Sequence, residues 1–330
     1  MSRALKAVIS GVGMGVPKRV MTNADFEKIL DTSDEWIVQR TGIRQRHIVG
    51  EGESTATLAT EAARAALADA NCRPEEIELV IVSTVSSDLV FPATACFVQA
   101  ALGLKNIPAF DISAACSGFL YGLTVGSKFV ETGTYKKILV IGADALSRFC
   151  DFTDRGSCIL FGDGAGAAVL EASEDTAKGI QYTVLHADGN GWDYIHVPAG
   201  GSRTVASHET VDARGHYVKM RGRDVYKFAV DKMQWLLEDC MKACNLTVAD
   251  VDMVVPHQVN TRIISSATEK FGFPMDKVFM NIDRFGNTSA ASIPLALTEA
   301  RATGKVKPGS TVLMVAFGAG LTWAGAVVKM

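Results

Sequence analysis

The sequence predicts an α/β fold built from two similar halves, and two patterns carry this prediction. The first is an alternation of alanine-rich helical stretches, such as residues 58–70, with short apolar strands, such as residues 78–83 and 137–142. Strands that are apolar along their whole length are typical of sheets covered by helices on both faces. The second is an internal repeat: residues 71–82 and 245–256 both read as a helix end, a polar link, an acidic residue and an apolar strand.

The repeat keeps one offset, which is 245 − 71 = 174. The same offset places residues 138–141 on another apolar stretch and residues 113–116 on residues 287–290, where both segments are turns of small residues. One offset that fits three separated places indicates an internal duplication, although apolar strands of any α/β protein offer some chance agreement. We place the two halves at residues 1–175 and 176–330.

Between the halves, residues 187–215 are rich in glycine, serine and charged residues. We interpret them as a long connecting loop that could serve as a lid. If the halves pack about a pseudo-twofold axis, turns related by the offset meet near its centre. The turns at 113–116 and 287–290 and the end of the strand at 253–256 are therefore expected to share one cleft at the carboxyl side of the strands.

The amino-acid composition argues against several classes of protein. The 330 residues are 48% hydrophobic and 21% charged with a formal net charge of −3, which gives no general attraction to nucleic acid or to anionic membranes. No apolar run approaches the roughly 20 residues of a membrane span. The seven cysteines are scattered and odd in number, which favours a reducing cytoplasm over a disulfide framework. Cys240 and Cys244 are interpreted as helix packing, and no metal site is predicted.

Cys116 is the candidate nucleophile. It lies between a strand end at residues 110–112 and an apolar helix, in a run of small residues that leaves room for an acyl group. A helix N-terminus carries partial positive charge and free N–H groups, which favour the thiolate. The alternative is a small buried core cysteine, which is the commoner role.

His257 and Asn287 are the candidate partners. His257 follows the apolar strand at 252–255, at the mouth of the expected cleft, and Asn287 follows Gly286 in a turn before a helix. Taken singly, a core histidine and a turn or helix-cap asparagine are the simpler interpretations. The offset strengthens the assignment, because it pairs Asn287 with Ser113, three residues before Cys116.

The segments that carry these residues, SAACSG, HQVNTRII and GNTSAASIP, resemble those of the 3-oxoacyl-(acyl carrier protein) synthase III family. Further segments agree in order, namely DEWIVQRTG, TDRG, FGDGAGAA and the closing FGAGLTWAG. The likeness begins near residue 30 and reaches the C-terminus. It implies a thiolase-like fold in which two duplicated α/β halves pack as a layered α-β-α-β-α core.

The resemblance implies an initiating condensing enzyme of type II fatty-acid synthesis, an acyltransferase with no permanently bound cofactor. An acyl group, usually acetyl, passes from coenzyme A to Cys116. Malonyl on acyl carrier protein then loses CO2, and its enolate attacks the thioester to give 3-oxoacyl carrier protein. His257 and Asn287 would stabilise the enolate oxygen, and the backbone N–H groups of Cys116 and Ala319 would form a second oxyanion hole.

The resemblance also assigns binding residues. Those for coenzyme A are Thr32, Trp36, Arg40, Arg155, Gly222 and Asn260. Those for the acidic carrier protein are Lys227, Arg262 and Lys270. Those for the acyl pocket are Phe91, Val218, Met220 and Phe317, of which Phe91 would cross a homodimer interface into the partner's pocket.

Other classes fit less well. Elongating synthases have a second histidine where Asn287 stands, and degradative thiolases have a second cysteine where this chain reads FGAGL. A dinucleotide site is excluded because the glycines of residues 11–15 follow G-x-G-x-G and lead into Val16-Pro17, not into a helix. Plant-type polyketide synthases and quinolone-type condensing enzymes share the cysteine, histidine and asparagine. They stay open as alternatives that use another primer or malonyl-coenzyme A.

Overall fold

The computed structural model describes residues 4–330, so the first three residues of the predicted N-terminal half lie outside the described residues. The strands are, in chain order, β1 (Lys6–Gly15), β2 (Val20–Thr22), β3 (Gln45–His47), β4 (Leu79–Ser83), β5 (Ala109–Ile112), β6 (Lys137–Asp144), β7 (Gly164–Ser173), β8 (Gly179–Ala187), β9 (Ile195–His196), β10 (Lys219–Met220), β11 (Met253–Pro256), β12 (Thr311–Gly318) and β13 (Thr322–Lys329). The α-helices are α1 (Asn23–Glu27), α2 (Asp34–Thr41), α3 (Thr55–Asp69), α4 (Thr94–Ala101), α5 (Gly118–Glu131), α6 (His208–Asp212), α7 (Gly222–Ala243), α8 (Thr261–Glu269), α9 (Ile282–Phe285) and α10 (Ser292–Ala302).

Two mixed sheets hold most of the strands. The first has the order β1-β7-β6-β4-β5, and the second has the order β8-β13-β12-β11. In the first sheet β6 pairs parallel with β4 and antiparallel with β7. In the second sheet β12 pairs in the same way with β11 and β13. The two sheets therefore repeat one topology.

The offset of 174 residues extends to unusual backbone conformations. The 3-10 turns Ala115–Ser117 and Ser289–Ala291 precede the two equivalent helices α5 and α10. Within them Ala115 has φ 47° and Ser289 has φ 51°, a left-handed conformation that is uncommon outside glycine. Such agreement is expected of duplicated halves, and it confirms the predicted fold class. The boundary at residues 175 and 176 stays a prediction.

Five layers build the core. Helices α5 and α10 form the central layer between the two sheets, α3 and α4 cover the outer face of the first sheet, and α7 and α8 cover that of the second. Along β4, Leu79 and Ile81 face the central layer while Val80 and Val82 face the outer one. This double burial explains why the strands are apolar without alternation.

The glycines of β1 have a packing role. Side-chain β-carbons at Gly11, Gly13 and Gly15 would lie 2.5, 2.2 and 2.4 Å from backbone atoms of α3. Glycine is thus required for the alanine-rich helix to approach the strand. This helix, α3, begins at Thr55, three residues before the predicted apolar stretch. Ser54 caps its N-terminus, because the Ser54 hydroxyl oxygen accepts a hydrogen bond from the N–H of Thr57.

The interpretation of residues 187–215 as a connection between the halves is wrong. Strand β8 precedes them and pairs with β13, so they are an insertion within the second half. The actual link between the sheets is the short segment between Ser173 and Gly179. The insertion is tied down by the pairing of β9 with β10 and by an ion pair between Arg214 and Asp151.

Two further features concern the class of protein. In the part of the chain that the structure describes, no helix is long and apolar enough to cross a membrane. Over the same residues, no group of three or more histidine, cysteine, aspartate or glutamate side chains is arranged to hold a metal ion. Cys240 is fully buried on α7 among the side chains that cover the second sheet, which agrees with the packing role predicted for it.

Candidate functional site

A cavity of about 320 Å³ lies where the two central helices begin. Cys116, His257 and Asn287 all line it, although the first and the last lie 171 positions apart in the chain. Most of the remaining wall is apolar and comes from Val85, Leu146, Phe149, Leu160, Phe161, Ile195, Val197, Val218, Met220, Val225, Phe228, Val259, Phe317 and Leu321. The structure therefore brings the three candidate residues to one mostly apolar chamber.

Cys116 is held in the tight turn before α5. The end of β12 packs against this turn, since a β-carbon at Gly318 would lie 2.7 Å from the backbone nitrogen of Cys116. The cysteine side chain is half-buried, so the cavity reaches it. Burial raises the pKa of its thiol to about 12, the nearby carboxylate of Asp144 acts in the same direction, and a hydrogen bond with the Ser289 hydroxyl opposes both. Desolvation thus counteracts the thiolate stabilisation predicted from the helix N-terminus.

His257 is fixed at the end of β11. Its backbone N–H donates to the carbonyl of Val315 at 2.8 Å. Its Nδ1 lies 2.7 Å from the Ser292 Oγ, and its ring meets Phe317 edge to face with centroids 5.5 Å apart. The side chain is only 1% exposed, and burial lowers the pKa of the imidazole to about 3. His257 is therefore neutral at physiological pH and is a poor proton acceptor.

Asn287 is oriented by its own turn. Its Oδ1 accepts the N–H of Ser289 at 2.9 Å, which identifies this atom as the oxygen of the amide. Its backbone N–H donates to Leu160 and its carbonyl accepts from Gly162, at 2.9 and 3.0 Å. Among the described residues, neither the Asn287 Nδ2 nor the His257 Nε2 has a protein partner. Both atoms are available to a molecule in the cavity.

Asp144 is a buried carboxyl at the end of β6, and no sequence pattern singles it out. It accepts hydrogen bonds from Val85 N–H at 2.9 Å, from Ser86 Oγ at 2.7 Å and from Ala290 N–H at 3.2 Å. Burial raises the pKa of Asp144, and these donors oppose that shift. Since Ala290 belongs to the second half and Val85 to the first, Asp144 joins the turn that follows Asn287 to the opposite sheet.

Ala319 lines the cavity just after β12. The hydroxyl of Thr322 lies 3.0 Å from the carbonyl oxygen of Ala114 and 3.2 Å from that of Ala319. These contacts tie the loop after β12 to the turn of Cys116. The two backbone groups predicted for an oxyanion hole are thus on neighbouring segments.

The residues predicted for coenzyme A form a second group at the surface. Two guanidinium groups pack on the Trp36 ring, with Arg40 at 4.6 Å and Arg155 at 5.3 Å from its centroid. Asn260 Nδ2 donates to the carbonyl of Arg40 at 2.8 Å, which brings α8 to α2. The Thr32 hydroxyl is buried without a hydrogen-bond partner. This is a flat, cationic surface of the kind that binds a nucleotide base and its phosphates.

Gly222 borders open space, and Asp31 contacts Arg155. A β-carbon at Gly222 would meet no protein atom within 4 Å, so the start of α7 borders open space. Arg155 donates from Nη1 to the Asp31 carbonyl at 2.6 Å, and the Asp31 carboxylate lies 3.4 Å from the same nitrogen. These contacts help to hold the Arg155 guanidinium over the Trp36 ring.

The three predicted docking cations lie on α7 and at α8. Lys270 Nζ donates to the Gln234 Oε1 at 3.0 Å, so the two helices are adjacent. Lys227 borders a second, polar cavity that also contains Asp224 and Asp231. The predicted basic surface is consequently interrupted by carboxylates.

The predicted acyl-pocket residues divide into two groups. Val218, Met220 and Phe317 line the cavity, whereas Phe91 does not line the cavity of its own chain and is 82% exposed. Sequence reasoning missed His196, which lines the cavity from β9, and Ser292, which contacts His257. His196 lies in none of the quoted segments and Ser292 lies within GNTSAASIP, but the contacts of both depend on how the insertion and α10 fold onto the site.

Comparisons with known proteins show which family the chain resembles. The family model for 3-oxoacyl-[acyl-carrier-protein (ACP)] synthase III matches residues 110–189. The model for the C-terminal part of the same family matches residues 241–330. The chain is 51% identical over 329 residues to a beta-ketoacyl-[acyl-carrier-protein] synthase III of Caldanaerobacter subterraneus subsp. tengcongensis, covering 100% of this chain and 99% of that protein.

Solved structures show the same likeness. A 3-oxoacyl-[acyl-carrier-protein] synthase III from Aquifex aeolicus VF5 superposes with a TM-score of 0.91 at 45% identity, covering 98% of this chain and 100% of that one. The priming β-ketosynthase of the R1128 polyketide biosynthetic pathway superposes with a TM-score of 0.91 at 34% identity, covering 98% and 96%. The likeness extends over nearly the whole of each chain.

Proposed function

Because the chain belongs to the 3-oxoacyl-[acyl-carrier-protein] synthase III family, we propose that it initiates fatty-acid synthesis by condensing a primer from coenzyme A with malonyl carrier protein. It is a condensing acyltransferase of the thiolase fold. The observation that carries the proposal is the convergence of Cys116, His257 and Asn287 on one cavity. A nucleophile and two neutral donors in an apolar chamber suit both half-reactions.

In the first half-reaction, the sulfur of Cys116 attacks the carbonyl carbon of the acyl thioester. The bond between that carbon and the coenzyme A sulfur then breaks, and the proton of the Cys116 thiol ends on the departing sulfur. N–H groups of Cys116 and Ala319 would bind the oxyanion that forms in between. The low pKa of His257 makes it a poor base for this step, so its loss should leave acyl transfer largely intact.

In the second half-reaction, the bond between the malonyl α-carbon and its carboxylate breaks, and CO2 leaves. The electron pair forms an enolate, and negative charge grows on the thioester oxygen. His257 Nε2–H and Asn287 Nδ2–H would donate to that oxygen in a site sheltered from water. The enolate carbon then attacks the acyl carbonyl, and Cys116 leaves as the thiol after taking up a proton.

For coenzyme A, the surface around Trp36 supports the binding proposal. An adenine ring would stack on the indole once the Arg155 guanidinium, which lies 5.3 Å from the centroid of the indole, withdraws to the far face of the adenine, and Arg40 would meet the phosphates. The pantetheine arm would pass the open space at Gly222 and the side chain of Asn260 to reach Cys116.

The test is intact-mass measurement after incubation with acyl-coenzyme A thioesters of increasing length, followed by malonyl carrier protein. We expect an acetyl adduct on Cys116 that disappears as acetoacetyl carrier protein forms. The apolar wall of the cavity and the 34% identity to a polyketide priming enzyme support one alternative, a longer or different primer. An adduct with longer primers only, or turnover with malonyl-coenzyme A, would favour it, and no adduct with any thioester would contradict the proposal.

Arg262 on α8 offers a test of the carrier-protein surface. Arg262→Glu should raise the apparent KM for malonyl carrier protein about tenfold, equivalent to ~1.4 kcal/mol, because the docking partner is acidic. The KM for acetyl-coenzyme A should stay unchanged. Lys305→Glu, which makes the same charge change at an exposed position after α10, is the matched control. If the two variants raise the KM for malonyl carrier protein equally, the carrier protein does not bind at Arg262.

The assembly and location stay predictions. The exposed side chains of Val90 and Phe91, at 90% and 82%, support a homodimer in which Phe91 enters the partner's acyl pocket. The cytoplasmic setting rests on the cysteine pattern of the sequence. Acyl-coenzyme A and malonyl carrier protein are proposed as substrates, and no permanently bound cofactor is proposed.

A further inference from the structure

The hydrogen bond between His257 and Ser292 links the site to the central helix. Ser292 is the first residue of α10, and its Oγ lies 2.7 Å from the His257 Nδ1. Both side chains are only 1% exposed, so water does not replace either partner. A neutral imidazole carries one N–H, and the environment of Nδ1 therefore decides whether Nε2 is a donor or an acceptor.

Two proton arrangements can make this bond. In one, the serine hydroxyl donates to Nδ1, and the ring proton resides on Nε2. In the other, Nδ1–H donates to the serine oxygen, and the hydroxyl proton needs a second acceptor. Other hydroxyls of the protein bond to the carbonyl four residues earlier, as Thr298 does with Pro294 at 2.7 Å. Among the described residues, the Ser292 hydroxyl has no contact of that kind.

The second arrangement would bury an unpaired donor, which is unfavourable, whereas the first leaves only spare lone pairs on the serine oxygen. We propose that Ser292 is a positioning residue that holds His257 in the tautomer with its proton on Nε2. The ring then presents an N–H to the cavity, beside the amide of Asn287. The same tautomer leaves Nε2 without a lone pair for the proton of Cys116. The proposal rests on the proposed function, in which His257 donates to the malonyl thioester oxygen.

The neutrality of the ring supports the inference. Burial lowers the pKa of His257, so a doubly protonated ring is not available at pH 7 to supply both N–H groups. Phe317 covers one side of the imidazole, and α10 fixes Ser292 from the other.

Activity of two variants tests the role of Ser292. Ser292→Ala should slow malonyl decarboxylation about 10–100-fold, because the ring loses the contact that selects its tautomer. Its rate of Cys116 acylation by acetyl-coenzyme A should stay within about twofold of the original protein, since His257 is not the base of that step. Ser292→Thr retains a hydroxyl and should recover most of the decarboxylation. Unchanged decarboxylation in Ser292→Ala, or equal losses in both half-reactions, would overturn the proposal.

A spectroscopic measurement on the unaltered protein separates this proposal from the proposed function. In ¹⁵N spectra of histidine-labelled protein, the signals lost in His257→Gln identify this residue. A protonated Nε2 with a non-protonated Nδ1 between pH 6 and 8 is expected, and the reverse pattern would overturn the proposal even if Ser292→Ala fails to fold. If the unaltered protein shows the expected tautomer but does not decarboxylate malonyl carrier protein, the proposed function fails instead.

Discussion

Cys116→Ser is expected to abolish condensation and to leave no stable acyl adduct in the intact mass after incubation with acetyl-coenzyme A. A hydroxyl is a far weaker nucleophile toward thioesters, and in the second half-reaction the serine alkoxide would be a poorer leaving group than the cysteine thiolate. The loss should be at least about 10³-fold in rate, on the scale measured for removal of a catalytic nucleophile. Condensation is followed as acetoacetyl carrier protein formed over time.

Cys96→Ser is the matched control for this variant. Cys96 is also half-buried, but it lies on α4 in an outer layer, away from the cavity. That protein should acylate and condense normally. An acyl adduct that persists in Cys116→Ser and disappears in another cysteine variant would show that Cys116 is not the nucleophile.

His257→Ala and Asn287→Ala are expected to separate the two half-reactions. Each should reduce malonyl decarboxylation by about 10²–10³-fold, because each removes one of two donors to the developing oxyanion. Acylation of Cys116 by acetyl-coenzyme A should continue, since neither residue is assigned to that step. The measurements are CO2 release from malonyl carrier protein and the rate of adduct formation by mass.

His208→Ala provides a control on the exposed helix α6. Thermal unfolding should accompany the assays, because His257 packs against Phe317 and its truncation leaves a cavity. If decarboxylation survives in both site variants, their role as oxyanion donors is wrong. If acylation falls as far as decarboxylation, both residues support both half-reactions, and their assignment to decarboxylation alone is wrong.

The pattern of the chain determined the fold class and the identity of the central residues. Strands that are apolar at every position indicated sheets with helices packed on both faces, and the offset of 174 residues indicated two equivalent halves. The offset also related the turn of Cys116 to the turn of Asn287, whose backbones share a left-handed residue in the structure. Apolar strands are visible in short stretches of sequence, and the repeat is visible as a constant offset. Both can therefore be recognised without knowledge of which distant segments are in contact.

Only the tertiary structure decided the electrostatics and the supporting contacts of the site. The sequence favoured a thiolate at Cys116, but burial beside Asp144 raises the pKa of that thiol. Ser292 lies within GNTSAASIP and Asp144 within none of the quoted segments, but the contacts of neither could be predicted, because their partners lie 35 and 146 positions away. The insertion at residues 187–215 was misplaced, since only the pairing of β8 with β13 shows to which sheet it belongs. Desolvation and long-range hydrogen bonds arise when distant segments pack together, and no local pattern encodes them.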